Sequence, residues 1–546
     1  MPGSSYDWSG DVPSVESIVQ QARLLGIPLT GPEAGQLRPS LVTFFQGGRL
    51  IASRSQLGAA IDFPPRLPQI PDASSADILQ ATREVPGRKQ GQGSMSLLPR
   101  THPGSLSISE LASHYRARLL SPVTVTGNLL DSIHDHESRF NAWITILDGP
   151  ALAEAKASEQ RLLRGHPRSP IEGIPVVLKD NIDLAGVVTT CGSVIMRQRK
   201  ARKDAQIASA LRKAGAVILG KANLLEFAYG VPNPHFGQTN NPWNLERTAG
   251  GSSGGCAAAV AAGDAFGGFG TDTGGSVRIP AAYCGIVGLK PTYKLLDTTG
   301  VFPLSHTADH LGLLGRSVRD VSILLSSVLK HDYGLPHVQH DLKGLRIGIL
   351  SKGSETDTAL SVERVWHRAL AALRGAGATL EEVAVATSPP APTVLQQIVV
   401  PEATRIHYRW LRTRARDYAD GTRMQLLLGL FGPGFLYLSA NDARYRIQQS
   451  WRQLLVNFDA LVNLTVPWIA PYDEPEFGSQ EAASEANNTA SQNLSGLPAL
   501  TIPCGTDDQH MPIGMQITTG WYQEAKLLSI AQAAEQVLNF ETLLGA

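Results

Sequence analysis

Length, composition and charge restrict the classes of protein to which this chain can belong. Its 546 residues are enough for a large core, and its 53 glycines and 35 prolines, with 42% hydrophobic and 18% charged residues, are typical of a loop-rich globular enzyme. The formal net charge is zero, which argues against a nucleic-acid-binding protein that depends on phosphate contacts.

The cysteines and the apolar segments narrow the class further. The four cysteines show no CxxC or CxxH spacing, which argues against zinc and against a secreted disulfide scaffold, and no metal or cofactor is expected. The first residues lack a signal-peptide pattern, and the uncharged run 424–441 is interrupted by Gly432, Pro433 and Gly434. We therefore expect a soluble, cytoplasmic protein with no integral membrane segment.

The N-terminal residues 1–65 are predicted to form a small helical domain. Apolar residues recur at helical spacing over 15–25, and this pattern stops at Gly26 and Pro28. A second, weaker helical stretch covers 41–60 and is interrupted by two glycines at 47–48. A disordered extension is the alternative interpretation. Residues 66–105 are rich in Pro, Gly, Ser and Gln and are predicted to be a linker.

Residues 106–546 alternate between helical and strand patterns and are predicted to form one catalytic domain. Ser107 is a predicted helix N-cap with Glu110 three residues later. The apolar run 176–178 predicts a buried strand that ends at Lys179. Further strands are predicted at 142–146, 216–219, 345–350, 379–385, 499–503 and 513–517, and further helices at 151–163, 205–214, 361–374 and 524–537. The alternation predicts an α/β fold with a parallel or mixed sheet and helices on both faces.

One glycine-rich and serine-rich stretch, residues 249–280, is the candidate for a catalytic segment that presents a nucleophilic serine. It presents Ser252 and Ser253 between two pairs of glycines and Ser276 after a third pair. Glycine allows a sharp turn and the close approach of another group, so a serine there can stand beside free backbone N–H groups. A flexible linker is the alternative, but the apolar run 256–262 between the glycines argues against it.

These residues resemble the signature of the amidase signature family. The lysine segment 175–182 and the two serine motifs resemble that family at the expected spacing, as do residues 220–230 and 496–505. The resemblance covers roughly 107–540. It implies an amidase-signature fold, which is a central twisted mixed β-sheet covered by helices on both faces, here with the small N-terminal helical unit added.

The resemblance also implies a role for each motif residue. It assigns Ser276 as the nucleophile, Ser252 as a bridging serine after a cis peptide bond, and Lys179 as the general base. It places the oxyanion hole at the backbone N–H groups of 273–276, which include those of Thr273, Gly274 and Gly275. A lysine acts as a base only when it is neutral, so we expect Lys179 to be buried with a lowered pKa.

Six other residues near the motifs have open roles. Ser253 is interpreted as a hydrogen-bonding neighbour, Asp272 as a capping or network residue, and Arg278 as half of an ion pair rather than an anion-binding group. Four residues are predicted to line the substrate cleft: Tyr229, Gly230, Ser253 and His306. Core packing is the alternative for Tyr229.

The expected function is hydrolysis of a C–N bond in a small-molecule amide, carbamate or urea through an acyl-enzyme intermediate. The alternative is a glutaminase that donates ammonia within a transamidation complex. The expected partner is the small-molecule amide, with no nucleic acid; a homodimer is an option. The N-terminal unit resembles the small helical partner subunit of carboxybiuret-type amidases, and packing on the catalytic body or on a second protomer is its alternative role.

Overall fold

The computed structural model describes residues 13–54, 103–329, 341–350, 358–385, 389–476 and 478–543. The predicted linker 66–105 lies outside the described residues except for 103–105, and so do residues 1–12 and 55–65 of the predicted N-terminal domain.

The described elements begin with two N-terminal helices and continue as an alternation of helices and strands. The helices are α1 (Val15–Leu24), α2 (Gly31–Ser53), α3 (Ile108–Arg116), α4 (Pro122–Phe140), α5 (Asp148–Leu163), α6 (Gln206–Ala214), α7 (Gly254–Ala261), α8 (Arg278–Tyr283), α9 (Val318–Leu329), α10 (Leu360–Gly375), α11 (Ala391–Thr413), α12 (Asp420–Leu428), α13 (Gly434–Leu455), α14 (Gln480–Glu485), α15 (Ala490–Ser495) and α16 (Glu524–Leu538). The strands are β1 (Trp143–Ile146), β2 (Pro175–Lys179), β3 (Val217–Ala222), β4 (Asn240–Asn241), β5 (Asn244–Thr248), β6 (Gly267–Asp272), β7 (Val287–Lys290), β8 (His310–Gly315), β9 (Arg346–Leu350), β10 (Thr379–Val383), β11 (Ala460–Leu464), β12 (Ala499–Thr506) and β13 (Pro512–Thr518).

Eleven of the described strands form one mixed sheet in the order β1-β3-β2-β6-β8-β7-β12-β13-β11-β9-β10. β2 runs parallel to β3 and β6, and β9 runs parallel to β10 and β11, whereas the pairs between β6 and β13 are antiparallel. The sheet is flanked by helices, and its apolar side chains form the main core. The predicted α/β fold class is confirmed.

Helices α1 and α2 pack on helices α11, α12 and α13 through a second apolar cluster. Ile18, Leu37, Leu41 and Phe44 are buried in this cluster. The second helix begins at Gly31, ten residues before the predicted start, because Thr30 caps it and Glu33 completes a capping box. The described N-terminal helices therefore pack on the catalytic body, and the division into separate domains stays a prediction.

The uncharged run 424–441 forms the end of α12 and the start of α13, with the predicted interruption between them. Leu426, Leu427 and Leu428 are buried against neighbouring helices. Of the helices in the described part of the chain, none combines the length and apolar character that crossing a membrane requires.

Candidate active site

Lys179 ends strand β2 and is fully buried. Its Nζ atom lies 2.7 Å from Ser252 Oγ and 2.9 Å from Thr271 Oγ1, and the Thr271 carbonyl oxygen is 3.4 Å away. Burial lowers the pKa of Lys179 to about 7, and the attraction of more distant acidic groups opposes this only in part. A large fraction of Lys179 is therefore neutral near pH 7 and can accept a proton.

Two other buried lysines differ from Lys179 in their partners. Lys221 Nζ lies 2.7 Å from an oxygen of Asp180 and forms a buried ion pair. Lys290 donates to two backbone carbonyl groups. Among the described residues Lys179 has no carboxylate within ion-pair distance, and its nearest partners are hydroxyl groups and a carbonyl. This set of partners suits a base that exchanges protons with a serine.

The first glycine-rich turn places Ser252 against Lys179. The peptide bond between Gly251 and Ser252 is cis, as the family resemblance implies. A Cβ atom on Gly251 would lie 2.2 Å from the Leu225 side chain, so a larger residue would displace that wall. Glycine at 251 therefore lets the backbone approach Leu225 closely enough to bring Ser252 to the lysine.

Ser253 connects the two serine-containing turns through hydrogen bonds. Its Oγ donates to the Thr271 carbonyl oxygen at 3.2 Å, and its N–H donates to the Ser276 carbonyl oxygen at 3.1 Å. Ser253 is fully buried, and the cavity lining passes through its neighbour Ser252 instead. The prediction that Ser253 lines the substrate cleft is therefore wrong, because its side chain points into the packed interior, while its interpretation as a hydrogen-bonding neighbour is confirmed.

The second glycine-rich turn presents Ser276, which is partly exposed to the cavity. Gly275 adopts φ +138°, and a Cβ atom there would lie 2.4 Å from Thr489 Oγ1. The same hydroxyl of Thr489 donates to the Gly274 carbonyl oxygen at 2.5 Å. Glycine at 275 is thus required both by the backbone conformation and by the close contact with Thr489.

The backbone N–H groups of this turn differ in whether they already form a hydrogen bond. The N–H of Gly275 donates to Asp272 Oδ1 at 2.9 Å, so the predicted oxyanion donor at 275 is already engaged. Within the described residues, the N–H groups of Thr273, Gly274 and Ser276 form no hydrogen bond. The geometry therefore leaves Thr273, Gly274 and Ser276 as available donors to a negative oxygen beside Ser276.

A buried ion pair between Asp272 and Arg278 flanks the second turn. Arg278 contacts both carboxylate oxygens of Asp272, at 2.9 and 3.0 Å, and neither side chain is exposed. Burial acts to raise the pKa of Asp272, but the Arg278 guanidinium, together with Lys290 and Asn493, outweighs burial and holds this pKa well below its usual range. Arg278 Nη2 also donates to Asn493 Oδ1, and Nη1 donates to Gln516 Oε1. The structural interpretation of Arg278 is confirmed.

Ser252 and Ser276 open into one cavity of about 1270 Å³. Part of the wall is apolar, and its side chains include Leu225, Leu304, Leu395, Val399 and Leu428. The titratable side chains that line the cavity are Glu363, His367, Arg374, Glu382, Glu474 and Glu485. The cavity exceeds the usual size of a pocket for a drug-sized ligand, so it has room for more than a minimal amide.

Tyr229 and Gly230 line this cavity, and His306 does not. His306 is exposed, and its backbone carbonyl accepts a hydrogen bond of 2.7 Å from Tyr293. The loop turns its inner side chain, Leu304, toward the cavity instead. The prediction of a cleft-lining role for His306 is therefore wrong.

Two residues near Lys179 received no role from the sequence. Thr271 contacts Lys179 Nζ through its hydroxyl, and Asn181 Nδ2 donates to the same hydroxyl oxygen at 3.0 Å. Asn181 lies two residues after Lys179 in the lysine segment, and Thr271 lies in the stretch 249–280, so position within these motifs was the only sequence signal for either residue. Thr489, which holds the second turn, comes from a distant segment without a recognisable pattern.

Comparison with known proteins agrees with this geometry. A family model described as Amidase matches residues 124–528. A glutamyl-tRNA(Gln) amidotransferase subunit of Carboxydothermus hydrogenoformans is 33% identical over 480 residues, which is 80% of this chain and 98% of that protein.

Solved structures show the same relationship. A chain from a vestigial protein complex, described as revealing the evolutionary origins of an s-triazine catabolic enzyme, is 29% identical with a TM-score of 0.73, over 79% of this chain and 98% of that one. The peptide amidase of Stenotrophomonas maltophilia is 28% identical with a TM-score of 0.67, over 79% of this chain and 97% of that one. Sequence, fold and motif geometry together show that the present chain belongs to the amidase signature family.

Proposed function

We propose that this chain cleaves the C–N bond of an amide through an acyl-enzyme on Ser276, with Ser252 as the bridging serine and Lys179 as the general base. The observation that carries the proposal is the contact of 2.7 Å between Lys179 Nζ and Ser252 Oγ at a fully buried lysine whose pKa is lowered to about 7 by burial. A serine hydroxyl needs such a base, because it is a weak nucleophile on its own.

The first half of the reaction forms the acyl-enzyme. Neutral Lys179 accepts the proton of Ser252, which accepts the proton of Ser276 as Ser276 Oγ attacks the amide carbonyl carbon. The carbonyl oxygen becomes negative and accepts hydrogen bonds from the N–H groups of Thr273 and Gly274. The C–N bond breaks as the proton on Lys179 returns through Ser252 to the leaving nitrogen, so the products are a free amine or ammonia and an ester on Ser276.

The second half releases the acid. A water molecule gives a proton through the same relay to Lys179 and attacks the ester carbon. The second tetrahedral intermediate then expels Ser276 Oγ, which recovers its proton. In the described residues no hydrogen bond joins the hydroxyls of Ser252 and Ser276, and such catalytic hydrogen bonds often shorten only when substrate is bound.

Two amide donors fit this chemistry. Glutamine as an ammonia source is supported by the relatives at 33% identity, which are named as subunits of a glutamyl-tRNA(Gln) amidotransferase. These comparisons favour that alternative over a stand-alone hydrolase. Hydrolysis of a small-molecule amide or carbamate is supported by the apolar part of the cavity wall, which includes Leu225, Leu304 and Leu395 and suits an apolar acyl group.

One experiment tests the reaction and separates the donors. The purified full chain is assayed for ammonia release from glutamine, with and without the other subunits of an amidotransferase, and for hydrolysis of amides and carbamates of graded size. Glutaminase activity that requires those subunits supports the first donor, and turnover of free amides by the chain alone supports the second. If the Ser276→Ala variant keeps either activity, or if a fluorophosphonate does not label Ser276, the proposed mechanism is wrong.

A further inference from the structure

The cavity that contains the serines receives part of its wall from helix α2. Pro39, Ser40 and Thr43 of α2 line the cavity together with Ser252 and Ser276. Helix α2 lies outside residues 124–528, the part of the chain that matches the family model. The matched region alone therefore does not make up the whole wall of this cavity.

Specific contacts hold α2 in a defined position beside the cavity. Glu33, in its first turn, pairs with Arg423 of α12 at 2.6 Å. Gln397 of α11 donates to the Phe44 carbonyl oxygen at 2.6 Å. Leu37 and Leu41, on the face away from the cavity, are fully buried. These contacts join the helix to α11 and α12 and set the position of its cavity-facing residues in the structure.

The part of the cavity at α2 differs chemically from the apolar part of its wall. Ser40 and Thr43 of α2 face the same space as Thr393 and Gln396 of α11. A Cβ atom on Gly478 would lie 3.2 Å from Ser40 Oγ, so the loop at 478 closes in on the same helix. These four side chains are uncharged and carry hydrogen-bonding groups, in contrast to the leucines near the serines.

We propose that α2 is a specificity-determining wall of the active site, which contacts the part of the substrate remote from the scissile amide. The uncharged hydroxyl and amide groups there suit a substrate whose distal part is neutral and able to form hydrogen bonds, such as an ether, alcohol or amide chain. This inference rests on the proposed amide chemistry at Ser276. It assigns to the N-terminal helices a role in substrate selection.

The test uses Thr43→Trp in the full chain. Thr43 is exposed to the cavity, so an indole can extend into the open space without disturbing the apolar face of α2. The matched control is Arg49→Trp, at an exposed position of the same helix that does not line the cavity. Two fluorophosphonates that label the nucleophilic serine are compared, one with a short ethyl group and one with a long oligo(ethylene glycol) tail.

We expect Thr43→Trp to slow labelling by the long probe by about tenfold or more, as a pocket residue does for a substrate that must pass it. Labelling by the short probe, and both rates in Arg49→Trp, should stay within about twofold of the wild-type rates, as is usual for surface substitutions. Equal effects on both probes, or no effect on the long probe, would overturn the inference. So would a wild-type chain that reacts with the short probe only. Failure of both probes to label wild-type Ser276 would instead refute the proposed function.

Discussion

The pH dependence of the reaction is the most direct consequence of the buried lysine. Burial lowers the pKa of Lys179 from 10.5 to about 7. This shift is equivalent to about 5 kcal/mol, at about 1.4 kcal/mol per pKa unit. At pH 7 about half of the enzyme then carries a neutral base, whereas with an unshifted lysine about one molecule in three thousand would do so. Because the neutral form is the base, kcat/KM should fall about tenfold per pH unit below 7 and reach a plateau above it.

The assay is a pH profile of kcat/KM, or of the fluorophosphonate labelling rate, between pH 5 and 9. Replacing the base by Lys179→Ala should lower the rate by about 10²–10⁴-fold and abolish the acid limb. Lys179→Arg should be equally inactive, because guanidinium keeps its proton throughout this range. The exposed Lys203 provides the matched control, and Lys203→Ala should keep both the rate and the profile.

A second buried group, Asp309, would also make the rate fall at low pH, so its effect on the pH profile must be distinguished from that of Lys179. Burial raises the pKa of Asp309 to about 6, and this carboxylate accepts a hydrogen bond of 2.7 Å from Thr273. If Lys179 is the titrating base, Asp309→Asn keeps the acid limb and moves its midpoint to lower pH, because the Asp309 carboxylate acts to raise the pKa of Lys179. A plateau that extends unchanged to pH 5, or a midpoint that disappears in Asp309→Asn, would refute the assignment to Lys179.

Three further predictions concern the groups around the serines. Ser253→Ala should reduce kcat/KM far less than Lys179→Ala, since Ser253 only donates to the Thr271 carbonyl oxygen; equal losses in the two variants would contradict this. Thr271→Val removes an acceptor 2.9 Å from Lys179 Nζ and should move the acid limb of the pH profile to lower pH, and a limb that moves upward would contradict it. Arg278→Met leaves the Asp272 carboxylate buried without its partner and should lower the free energy of unfolding by about 3–5 kcal/mol in denaturant titration.

The elements that could be predicted from the sequence are those with local signals. The Ser107 cap and Glu110 form the predicted capping box at the start of α3. The apolar run 176–178 forms β2 and delivers Lys179 at its end, as predicted. Helix α1 also begins within the predicted stretch, with Ser14 as its cap. In each case the signal lies within a few residues of the feature that it predicts.

The elements that could not be predicted depend on distant contacts. Strand β6 (Gly267–Asp272) has glycine at three of its six positions and no alternating pattern, yet it is fully buried between β2 and β8. The strand packs closely against α7 and needs small residues there, because a Cβ atom on Gly268 would lie 3.2 Å from the Cys256 side chain. The orientation of Ser253 and His306 likewise follows from tertiary packing, which their neighbours in sequence do not reveal.

The residues proposed for the reaction and those proposed for substrate selectivity lie in different segments of this chain. The segments that hold Lys179, Ser252 and Ser276 all lie within 124–528, so the similarity to amidotransferase subunits and to amidases covers the residues that carry the proposed reaction. The cavity wall also includes Ser40 and Thr43, which lie outside that match. A relative can therefore share the chemistry while lacking the surface that contacts the distal part of the substrate. It follows that substrate tests are informative only on the chain with α2 in place, because removing α2 would open the cavity and expose the buried face of α11.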